Sequence, residues 1–570
     1  MLWISKIIGL WILLVVFAIG NLFLRNVTPA EAEQEKGAIP YAIYQIKAIT
    51  NTKILPDTFP ILGSPGNEVH VTACQGEYDP ATFVVHALQD IKGLLVTATD
   101  LHGNGSIIPA SAVDIRVVKC WFQAGVLWND NKQCLLTPEL LLKDDRLVKV
   151  DLQDKKNYLR TSNLGDPEQY VLISGKDNKN LEDIQPHDAD TLQPVDISAK
   201  RNKQFWITVH VPTNATPGDY RGTIKLSADG TPSAPIVLRV RVLPFSLEKP
   251  ALTYSMYYRG KLTRNNFLVK NQPAITPDWK SDQQYYAEMV NLKSHGVDFP
   301  IICQSDEELV KKELEIRQKA GLPKGPLFAT GLHPGTIKRP EEAAALKQKV
   351  DRWVRIAEAF GYGPVYAYGI DEGGEELIKL QQSAWDIVHQ QGVKVFAAIS
   401  SRFALKSAAY LDLANVSNLP DPKIAAKYHA YGHQVFNYGY PQSGAEEPDT
   451  YRRKYGLPLW QTGYDGAMDY AYQHAKEGHI WNDFNHPSSR PTVVAYPTVN
   501  GVIDTVQWEG FREGVDDVRY VTTLLKAIQR AKASKPQVAI DAQRWVDSLD
   551  LKNNLDEVRS KMIDWIIKLQ

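Results

Sequence analysis

The stretch from Val365 to Gly374 reads Val-Tyr-Ala-Tyr-Gly-Ile-Asp-Glu-Gly-Gly, an apolar run that ends in two carboxylates and two glycines. A short run of this kind, bounded by glycine, predicts a buried strand followed by a turn. On either side, apolar residues recur at helical spacing, over Leu346–Phe360 and Leu377–Val388, and Gly361 and Gly392 follow the two patterns as stop signals. The sequence therefore predicts a helix–strand–helix unit with an acid pair at the carboxyl end of the strand.

The same alternation of apolar runs and helices extends over residues 251–530. About eight strand–helix units across roughly 270 residues are the number and size of a (β/α)8 TIM-like barrel. An open doubly wound sheet is the alternative, but no glycine-rich phosphate loop accompanies the runs. The predicted strands are Leu252–Tyr258, Val297–Cys303, Leu327–Gly331, Val365–Ile370, Val393–Ile399, Gln434–Tyr438, Gly466–Tyr470 and Thr492–Tyr496.

The first half of the chain has a period of two instead. Apolar and polar residues alternate over Phe205–Val211 and over Leu238–Val242, and a turn sequence begins at Pro217 between them. Alternation with turns at this spacing predicts an antiparallel β-sandwich. The predicted fold class is thus multidomain, β and α/β: an N-terminal β-sandwich over 40–245, the barrel over 251–530 and a C-terminal helical extension over 531–570.

Residues 1–32 predict export. Lys6 precedes 18 uncharged residues, Ile7 to Leu24, and Ala30-Glu31-Ala32 is a small-x-small site of the kind that signal peptidase cleaves. A cleaved signal peptide and an uncleaved membrane anchor both fit, because 18 largely apolar residues can just span a bilayer. Either one predicts a periplasmic, extracellular or envelope-anchored protein.

The composition excludes a mainly disordered chain and argues against one class of function. The 570 residues include 64 Lys+Arg and 65 Asp+Glu, a net charge of −1, and 44% are hydrophobic. These values are typical of a globular protein, and a balanced charge argues against a mainly electrostatic nucleic-acid binder. Cys120 and Cys134 could close a local loop by a disulfide, or all four cysteines are free thiols. The spacing of metal-binding residue types fits no zinc site, so no metal is predicted.

The candidate active site follows from the barrel, because barrel enzymes carry their active sites at the carboxyl ends of the strands. Asp371 and Glu372 lie at such an end, where one carboxylate can donate a proton while the other stays ionised. The alternative is that either acid only caps the next helix. Later strands add aromatic and short polar side chains, which suit the ring faces and hydroxyl groups of a sugar. The predicted substrate-binding residues are Arg259, Tyr438, Asp469, Tyr470, Trp481 and Asp483.

Each of these binding residues also has a plainer interpretation, as core packing, loop packing or a surface ion pair. The same holds for the helical segment Gln507–Asp517, which carries Arg512, Glu513, Asp516 and Asp517 at helical spacing. There we expect a buried ion-pair network that closes the barrel rather than a catalytic role.

Five of the motifs resemble glycoside hydrolase family 123. The resemblance covers nearly the whole chain after the export segment, and it implies the order of sandwich and then barrel. It further implies a bacterial retaining N-acetyl-β-galactosaminidase that acts on glycosphingolipid-type glycans without a metal or organic cofactor. The motifs are Gly76–Phe83, Tyr257–Gly260, the pair Asp371-Glu372, Ala495–Pro497 and Gln507–Asp517.

By this resemblance, Glu372 is the general acid and then the general base, and Asp371 orients the 2-acetamido group of the substrate. Most retaining glycosidases need a carboxylate nucleophile roughly 5–5.5 Å from the acid, which adjacent residues supply poorly because they point to different sides. In substrate-assisted hydrolysis the acetamido oxygen is the nucleophile instead. Tyr438 and Tyr470 are the candidates for the tyrosine of the acetamido pocket, and the tryptophan-rich loop of relatives survives only in part, at Trp481–Asn485.

Two alternatives stay open at this point. The first is a glycosidase that acts on a sugar without an acetamido group and uses a distant nucleophile such as Asp469 or Asp483. The second is a non-catalytic glycan-binding protein of the cell envelope. In every case the expected partner is a glycan or glycoconjugate, no nucleic acid is expected, and membrane contact is confined to a possible N-terminal anchor.

Overall fold

The structure is a computed structural model, and it describes residues 39–570 with several gaps. The predicted export segment, residues 1–32, lies outside the described residues. Within the part that is described, no helix is both long and apolar enough to cross a membrane. The gaps are residues 104, 126–128, 130–132, 163–165, 177–180, 182–183, 229–233, 264–277, 440–445, 476–478 and 500.

The N-terminal region is rich in β-structure, as the alternating sequence predicts. Its strands are β1 (Tyr41–Ile46), β2 (Ser64–Pro65), β3 (Glu68–Ala73), β4 (Tyr78–Ala87), β5 (Ile91–Ala98), β6 (Leu101–Gly103), β7 (Ser106–Ile108), β8 (Val113–Ala124), β9 (Cys134–Leu142), β10 (Val148–Asp151), β11 (Lys156–Arg160), β12 (Tyr170–Leu172), β13 (Val195–Ile197), β14 (Asn202–His210), β15 (Gly218–Ser227) and β16 (Ile236–Val242). One sheet has six strands in the order β2-β1-β4-β14-β8-β9. A second has seven, with β13-β5-β15-β16-β3 as its main path, and β10, β11 and β12 form a small third sheet.

Side chains from the two large sheets share one hydrophobic cluster. Phe83 and Phe205 of the first sheet and Tyr220 and Val240 of the second all lie in it, fully buried. One strand pair differs from the predicted antiparallel arrangement, because β16 runs parallel to β3. The N-terminal region therefore consists of an antiparallel sheet and a mixed sheet that share a core.

Trp206 departs from the alternation that predicts β14. The pattern places it on the polar face with Thr208 and His210, yet it is buried and its Nε1 donates a hydrogen bond to Glu509 over 3.0 Å. The C-terminal half of the chain covers the sheet at this point. A strand pattern reports only whether a face is buried, so it cannot anticipate contact with another region.

The second half of the chain is α/β, which confirms the predicted change of character. Its strands are β17 (Thr253–Met256), β18 (Lys261–Leu262), β19 (Trp279–Lys280), β20 (Leu327–Ala329), β21 (Val365–Tyr368), β22 (Lys394–Ile399), β23 (Leu413–Ser417), β24 (Gln434–Tyr438), β25 (Gly466–Asp469), β26 (Gln473–His474), β27 (Thr492–Val493), β28 (Ala495–Pro497) and β29 (Val502–Asp504). Its helices are α1 (Asp282–Ser294), α2 (Glu307–Lys319), α3 (Pro340–Phe360), α4 (Glu375–Gln390), α5 (Ser401–Ser407), α6 (Pro422–His429), α7 (Pro448–Tyr455), α8 (Leu457–Gln461), α9 (Val506–Ala531), α10 (Pro536–Asp547) and α11 (Leu555–Leu569).

Seven of these strands form one parallel sheet in the order β17-β25-β24-β23-β22-β21-β20. Residues 299–302 lie between the two edge strands. The N–H groups of Phe299 and Ile301 donate to β17 over 3.2 and 3.0 Å, and the N–H of Ile302 donates to Phe328 of β20 over 2.9 Å. Hydrogen bonding thus links the two edges of the sheet through this segment, and apolar side chains from the strands fill the interior.

Two details of the predicted barrel are wrong. Thr492–Tyr496 does not join the parallel sheet, because β27 and β28 pair antiparallel with β26 and β29. The sequence analysis missed β23, whose apolar run is interrupted by Asn415 and Ser417. Strand β24, which ends at Tyr438, neighbours β25, which ends at Asp469 and pairs in turn with β17.

The C-terminal helices α10 and α11 pack with α9 around a separate hydrophobic cluster, which confirms the predicted helical end of the chain. The acids of α9 lie in a buried ion-pair network, as expected. Asp517 accepts from both Arg452 and Arg559 over 2.7 Å, and Arg559 also binds Glu513 over 2.6 Å. Because Arg559 approaches Asp79 of β4 within 3.6 Å, the network joins the C-terminal helices to the N-terminal region.

All four cysteines are free thiols. Cys120 lies opposite Pro138 in the β8–β9 pair, whereas Cys134 lies opposite Ala124, four residues further along the strand. The register therefore separates the two residues that the sequence left open as a disulfide pair.

Candidate active site

The loop after β21 places the acid pair at the carboxyl end of the parallel sheet. Its backbone is fastened to β22, because the N–H of Gly369 donates to Phe396 over 2.7 Å and the N–H of Glu372 donates to Ala398 over 2.9 Å. Glu372 has φ = 48°, in the left-handed region that residues other than glycine seldom adopt. Such conformations persist where surrounding structure holds them, often at functional sites. Asp371 and Glu372 are both exposed there.

Asp371 is held by a buried tyrosine. The hydroxyl of Tyr368, the last residue of β21, donates to Oδ1 of Asp371 over 2.5 Å. The hydroxyl of Tyr257 donates in turn to that of Tyr368 over 3.3 Å. Two phenols linked by a hydrogen bond, both less than a tenth exposed, thus lead to the carboxylate of Asp371.

Glu372 is held by a different tyrosine. The hydroxyl of Tyr438, the last residue of β24, donates a short hydrogen bond to Oε1 of Glu372. Tyr438 is 5% exposed, so bulk water has little access to this contact. Neighbouring carboxylates in the chain therefore have separate partners on separate strands.

Both phenols remain donors over a wide pH range. Burial raises the pKa of Tyr368 far above its usual value, and Tyr257 and Asp371 add to the shift. Burial likewise raises the pKa of Tyr438, and its hydrogen bond to Glu372 adds to it. A protonated phenol can only support a carboxylate by donating to it, so each acid has a fixed donor on one side.

Tyr470 and Arg259 lie beside this pair of contacts. The ring of Tyr470 packs against Tyr257 with 5.3 Å between centroids, and its hydroxyl lies 2.9 Å from Nδ1 of His474. Arg259 is half-buried near Tyr470 and binds Asp278 over 3.0 Å. The structure thus brings together Asp371, Glu372, Tyr438, Tyr470 and Arg259 of the predicted residues.

Asp469 lies behind the site instead of in it. Its side chain is 1% exposed, and burial raises its pKa while Lys454 opposes that shift. The N–H of Gly439 donates to its Oδ1 over 3.4 Å. In this geometry Asp469 contacts the backbone that follows Tyr438 and is shielded from a ligand in the mouth of the site.

Trp481 and Asp483 belong to a different cluster, between the N-terminal region and the segment before α9. Trp481 is fully buried and packs on Tyr496, with 4.8 Å between ring centroids. Asp483 forms a buried ion pair with Arg490 over 3.0 Å. Neither contact leads to the acid pair, so these two predicted residues are not brought together with it.

The sequence analysis did not select Tyr368 and Tyr257 as site residues, although both lie in motifs that it quoted. A usable signal existed for Tyr368, because it ends a strand three residues before Asp371, at the edge where strand ends converge. For Lys454, which reaches Gly439 from helix α7, the local sequence holds no comparable signal.

One group of side chains could in principle ligate a metal ion. Ligand atoms of His295, Asp504 and Glu509 lie within 4.8 Å of one another, buried between α1 and α9. Arg116 already binds Asp504 over 3.2 Å, and Arg512 already pairs with Glu509. Guanidinium groups at both carboxylates disfavour a second cation there, and the group does not include the acid pair.

The geometry defines what this site can do chemically. Two exposed carboxylates lie beside the buried side chains of Tyr368 and Tyr438, and each has one oxygen bound by one of these phenols. One carboxylate can exchange a proton with a ligand while the other binds a polar hydrogen or a developing positive charge. Catalysis of this type requires only side chains.

Two comparisons relate the chain to known proteins, one by sequence and one by fold. Residues 50–228 match the model of the glycoside hydrolase 123 N-terminal domain. The structure also resembles that of a family 123 glycoside hydrolase from Clostridium perfringens, studied for glycolipid glycan hydrolysis. The TM-score is 0.61 at 12% sequence identity, over 93% of this chain and 97% of that chain. At this identity the second likeness concerns the fold alone.

Other comparisons add little. A family 5 xyloglucanase from Bacteroides ovatus has a TM-score of 0.27 at 10% identity, over 79% of this chain and 99% of its own. A family 39 glycoside hydrolase from Bacteroides cellulosilyticus has a TM-score of 0.31 at 7% identity, over 57% of this chain and 75% of its own. Both scores are too low to support an argument, and no curated protein matches the chain significantly. The N-terminal region thus matches a domain of glycoside hydrolase family 123, and nearly the whole chain has the fold of a member of that family, which confirms the resemblance predicted from the motifs.

Proposed function

We propose that this protein is a glycoside hydrolase that releases terminal N-acetyl-β-hexosamine from glycans by a retaining, substrate-assisted mechanism. The observation that carries the proposal is the geometry of the acid pair: Asp371 and Glu372 are adjacent, exposed and bound by two different buried tyrosines. An arrangement with two separately oriented carboxylates at one point suits a reaction whose nucleophile comes from the substrate. N-acetylgalactosamine as the sugar follows from the resemblance to family 123, and export follows from the pattern of residues 1–32.

In the first step Glu372 acts as the general acid. It donates its proton to the glycosidic oxygen while the acetamido oxygen of the substrate attacks the anomeric carbon, so that the bond to the leaving group breaks and an oxazolinium ion forms. Because Tyr438 binds Oε1, we assign proton transfer to Oε2 of Glu372. Asp371 accepts the acetamido N–H and stabilises the positive charge that develops on the ring.

In the second step Glu372 acts as the general base. It removes a proton from water as the water oxygen attacks the anomeric carbon, the oxazolinium ring opens and the acetamido group is restored. Two inversions at the same carbon give a product with the original configuration. The Tyr368 hydroxyl keeps one oxygen of Asp371 occupied throughout, which fixes the orientation of the other.

The burial of Asp469 and Asp483 argues against the alternative with a distant protein nucleophile. Their side chains are 1% and 2% exposed, and each is engaged by a buried cation, Lys454 or Arg490. A nucleophile must reach the anomeric carbon, which a carboxylate enclosed in this way cannot do without rearrangement.

The test compares hydrolysis of aryl N-acetyl-β-galactosaminide and aryl N-acetyl-β-glucosaminide by the wild type, Asp371→Asn and Glu372→Gln. We expect the wild type to hydrolyse at least one substrate and to release the β-anomer first, which NMR of the fresh reaction mixture would detect. Glu372→Gln should lose about 10²–10⁴-fold in kcat, and less with a good leaving group. Glu376→Gln, at an exposed acid four residues further on, is the matched control and should retain wild-type rates.

Two results would contradict the proposal. Hydrolysis of neither N-acetylhexosaminide by the wild type would exclude it and redirect attention to other glycosides or to glycan binding without turnover. Equal rates on a substrate with a 2-hydroxyl group in place of the acetamido group would exclude participation of the acetamido oxygen.

A further inference from the structure

Two buried side chains hold the backbone of Gly439, one at its carbonyl and one at its N–H. Lys454 of α7 donates from Nζ to the carbonyl of Gly439, and the N–H of Gly439 donates to Oδ1 of Asp469. Nζ of Lys454 lies 3.9 Å from that same Oδ1, and the two side chains are 8% and 1% exposed. The three groups form a clamp between the ends of β24 and β25.

This clamp acts directly on the residue after Tyr438. Gly439 has φ = 100°, a conformation that side-chain-bearing residues rarely adopt. Its N–H belongs to the same planar peptide group as the carbonyl of Tyr438, so the bond to Asp469 holds the backbone from which the Tyr438 ring extends. Tyr438 must aim its hydroxyl at Glu372, which lies 66 residues away in the sequence.

The surroundings of Lys454 keep the clamp rigid. Its Nζ lies 4.7 Å from the ring centroid of Tyr455 and 5.7 Å from that of Tyr451, both of which are fully buried. Burial lowers the pKa of Lys454 to about 8, with Asp469 opposing the shift, so the ammonium is charged at neutral pH. A buried charge is retained only with a partner, and Asp469 supplies it.

We propose that Lys454 and Asp469 are positioning residues that hold the Tyr438 hydroxyl on Glu372 through the backbone of Gly439. The proposal rests on the function proposed above, in which Glu372 is the general acid and base, because the clamp would position the tyrosine that binds Glu372. Both residues act through Tyr438 and make no contact with substrate. Misplacing a group near the reacting atoms by about 1 Å can lower the rate by about 100-fold.

The kinetic test uses Lys454→Met and Asp469→Asn, each in the wild type and in Tyr438→Phe. We expect either substitution to lower kcat by about 10–100-fold with little change in KM. In the Tyr438→Phe background the same substitution should cost no more than about twofold, because the hydroxyl that the clamp positions is already absent. A loss that is equally large in both backgrounds would overturn the proposal. Lys454→Arg, which retains the charge, should recover part of the rate, and Lys423→Met, at an exposed lysine of α6, is the matched control.

A second measurement does not depend on turnover. The protein is labelled with 3-fluorotyrosine, and the ¹⁹F resonance of Tyr438 is assigned as the one that is absent from the spectrum of Tyr438→Phe. We expect this resonance to shift in Lys454→Met and in Asp469→Asn and to stay in place in Lys423→Met. An unmoved resonance in a folded Lys454→Met or Asp469→Asn protein would overturn the clamp even if the enzyme hydrolyses N-acetylhexosaminides. If the resonance shifts in both variants but the wild type hydrolyses no N-acetylhexosaminide, the clamp is supported and the proposed function is contradicted.

Discussion

Removing the hydroxyls of Tyr368 and Tyr438 one at a time should separate the roles of the two carboxylates. Tyr368→Phe deletes the donor to Asp371 and Tyr438→Phe deletes the donor to Glu372, with no other change in shape. The two tyrosines are 9% and 5% exposed, so water has little room to replace the lost donor. A hydrogen bond to a charged group contributes about 1.5–3 kcal/mol, which corresponds to about 10–150-fold in rate if it is needed in the transition state.

The dependence on the leaving group distinguishes the two variants. In the proposed mechanism Glu372 protonates the leaving oxygen, so the loss in Tyr438→Phe should grow as the pKa of the leaving phenol rises. Asp371 is proposed to act on the acetamido group, so the loss in Tyr368→Phe should be nearly the same for every leaving group. The assay is kcat/KM for a series of aryl N-acetyl-β-hexosaminides with leaving phenols of graded acidity.

The matched control is Tyr431→Phe, at a tyrosine that is 48% exposed and lies after α6. It should behave as the wild type with every substrate. The reasoning would be refuted if both site variants stayed within about twofold of the wild type, since a charge-assisted bond contributes more than that. It would equally be refuted if Tyr368→Phe showed the steeper dependence on the leaving group.

Three other predictions concern the rest of the fold. Arg559→Leu removes a buried partner of Asp517 and Glu513 and should lower the free energy of unfolding, measured in urea, by about 3–5 kcal/mol. The control is Arg544→Leu, at a side chain that is 75% exposed, which should change this free energy by less than about 0.5 kcal/mol. Burial opposes ionisation of Glu509, but Arg512 and His295 lower its pKa to about 2. The ionised carboxylate therefore stabilises the fold at pH values above its unfolded pKa of about 4.3, and this stabilisation is lost as the pH falls to about 2. The difference in unfolding free energy between the wild type and Glu509→Gln should therefore shrink between about pH 4 and pH 2, and a constant difference would contradict the assignment. Unreduced protein in urea should react with four equivalents of a thiol reagent, and two equivalents would reveal a disulfide.

The sequence predicts those features of the fold that depend on neighbours in the chain. Gly361 ends α3 with φ = 76°, and the acid pair lies where the run from Val365 predicts the end of a strand. Strand β23 escaped prediction because Asn415 faces the interior, where its amide donates to the carbonyl of Met468 over 2.8 Å. A polar residue with a partner in another strand looks, in the sequence alone, like a break in an apolar run.

In the candidate site, too, the features that depend on neighbours in the chain are predictable from the sequence, and those that depend on tertiary contacts are not. Asp371 and Glu372 stand out because their chemistry and position are local, whereas the contact from Tyr438 joins residues that only the folded sheet brings together. Trp481 has the side chain of a sugar-stacking residue, yet it packs edge-on to Trp121 of β8 with 6.2 Å between ring centroids. Residue type indicates what an aromatic side chain can do, and its use is decided by tertiary contacts that the sequence does not display.

The ion-pair network has a consequence for the order in which the chain can mature. Asp79 and Glu77 lie in the N-terminal region, whereas Arg559 and Tyr520, which approach them within 3.6 and 2.9 Å, belong to α11 and α9. Glu77 is synthesised 443 residues before Tyr520, so the nascent N-terminal sheets expose this surface until α9 and α11 have been made. The N-terminal region therefore completes its packing only when these helices dock on it, and a nonsense mutation between Tyr520 and Arg559 should leave part of that surface uncovered.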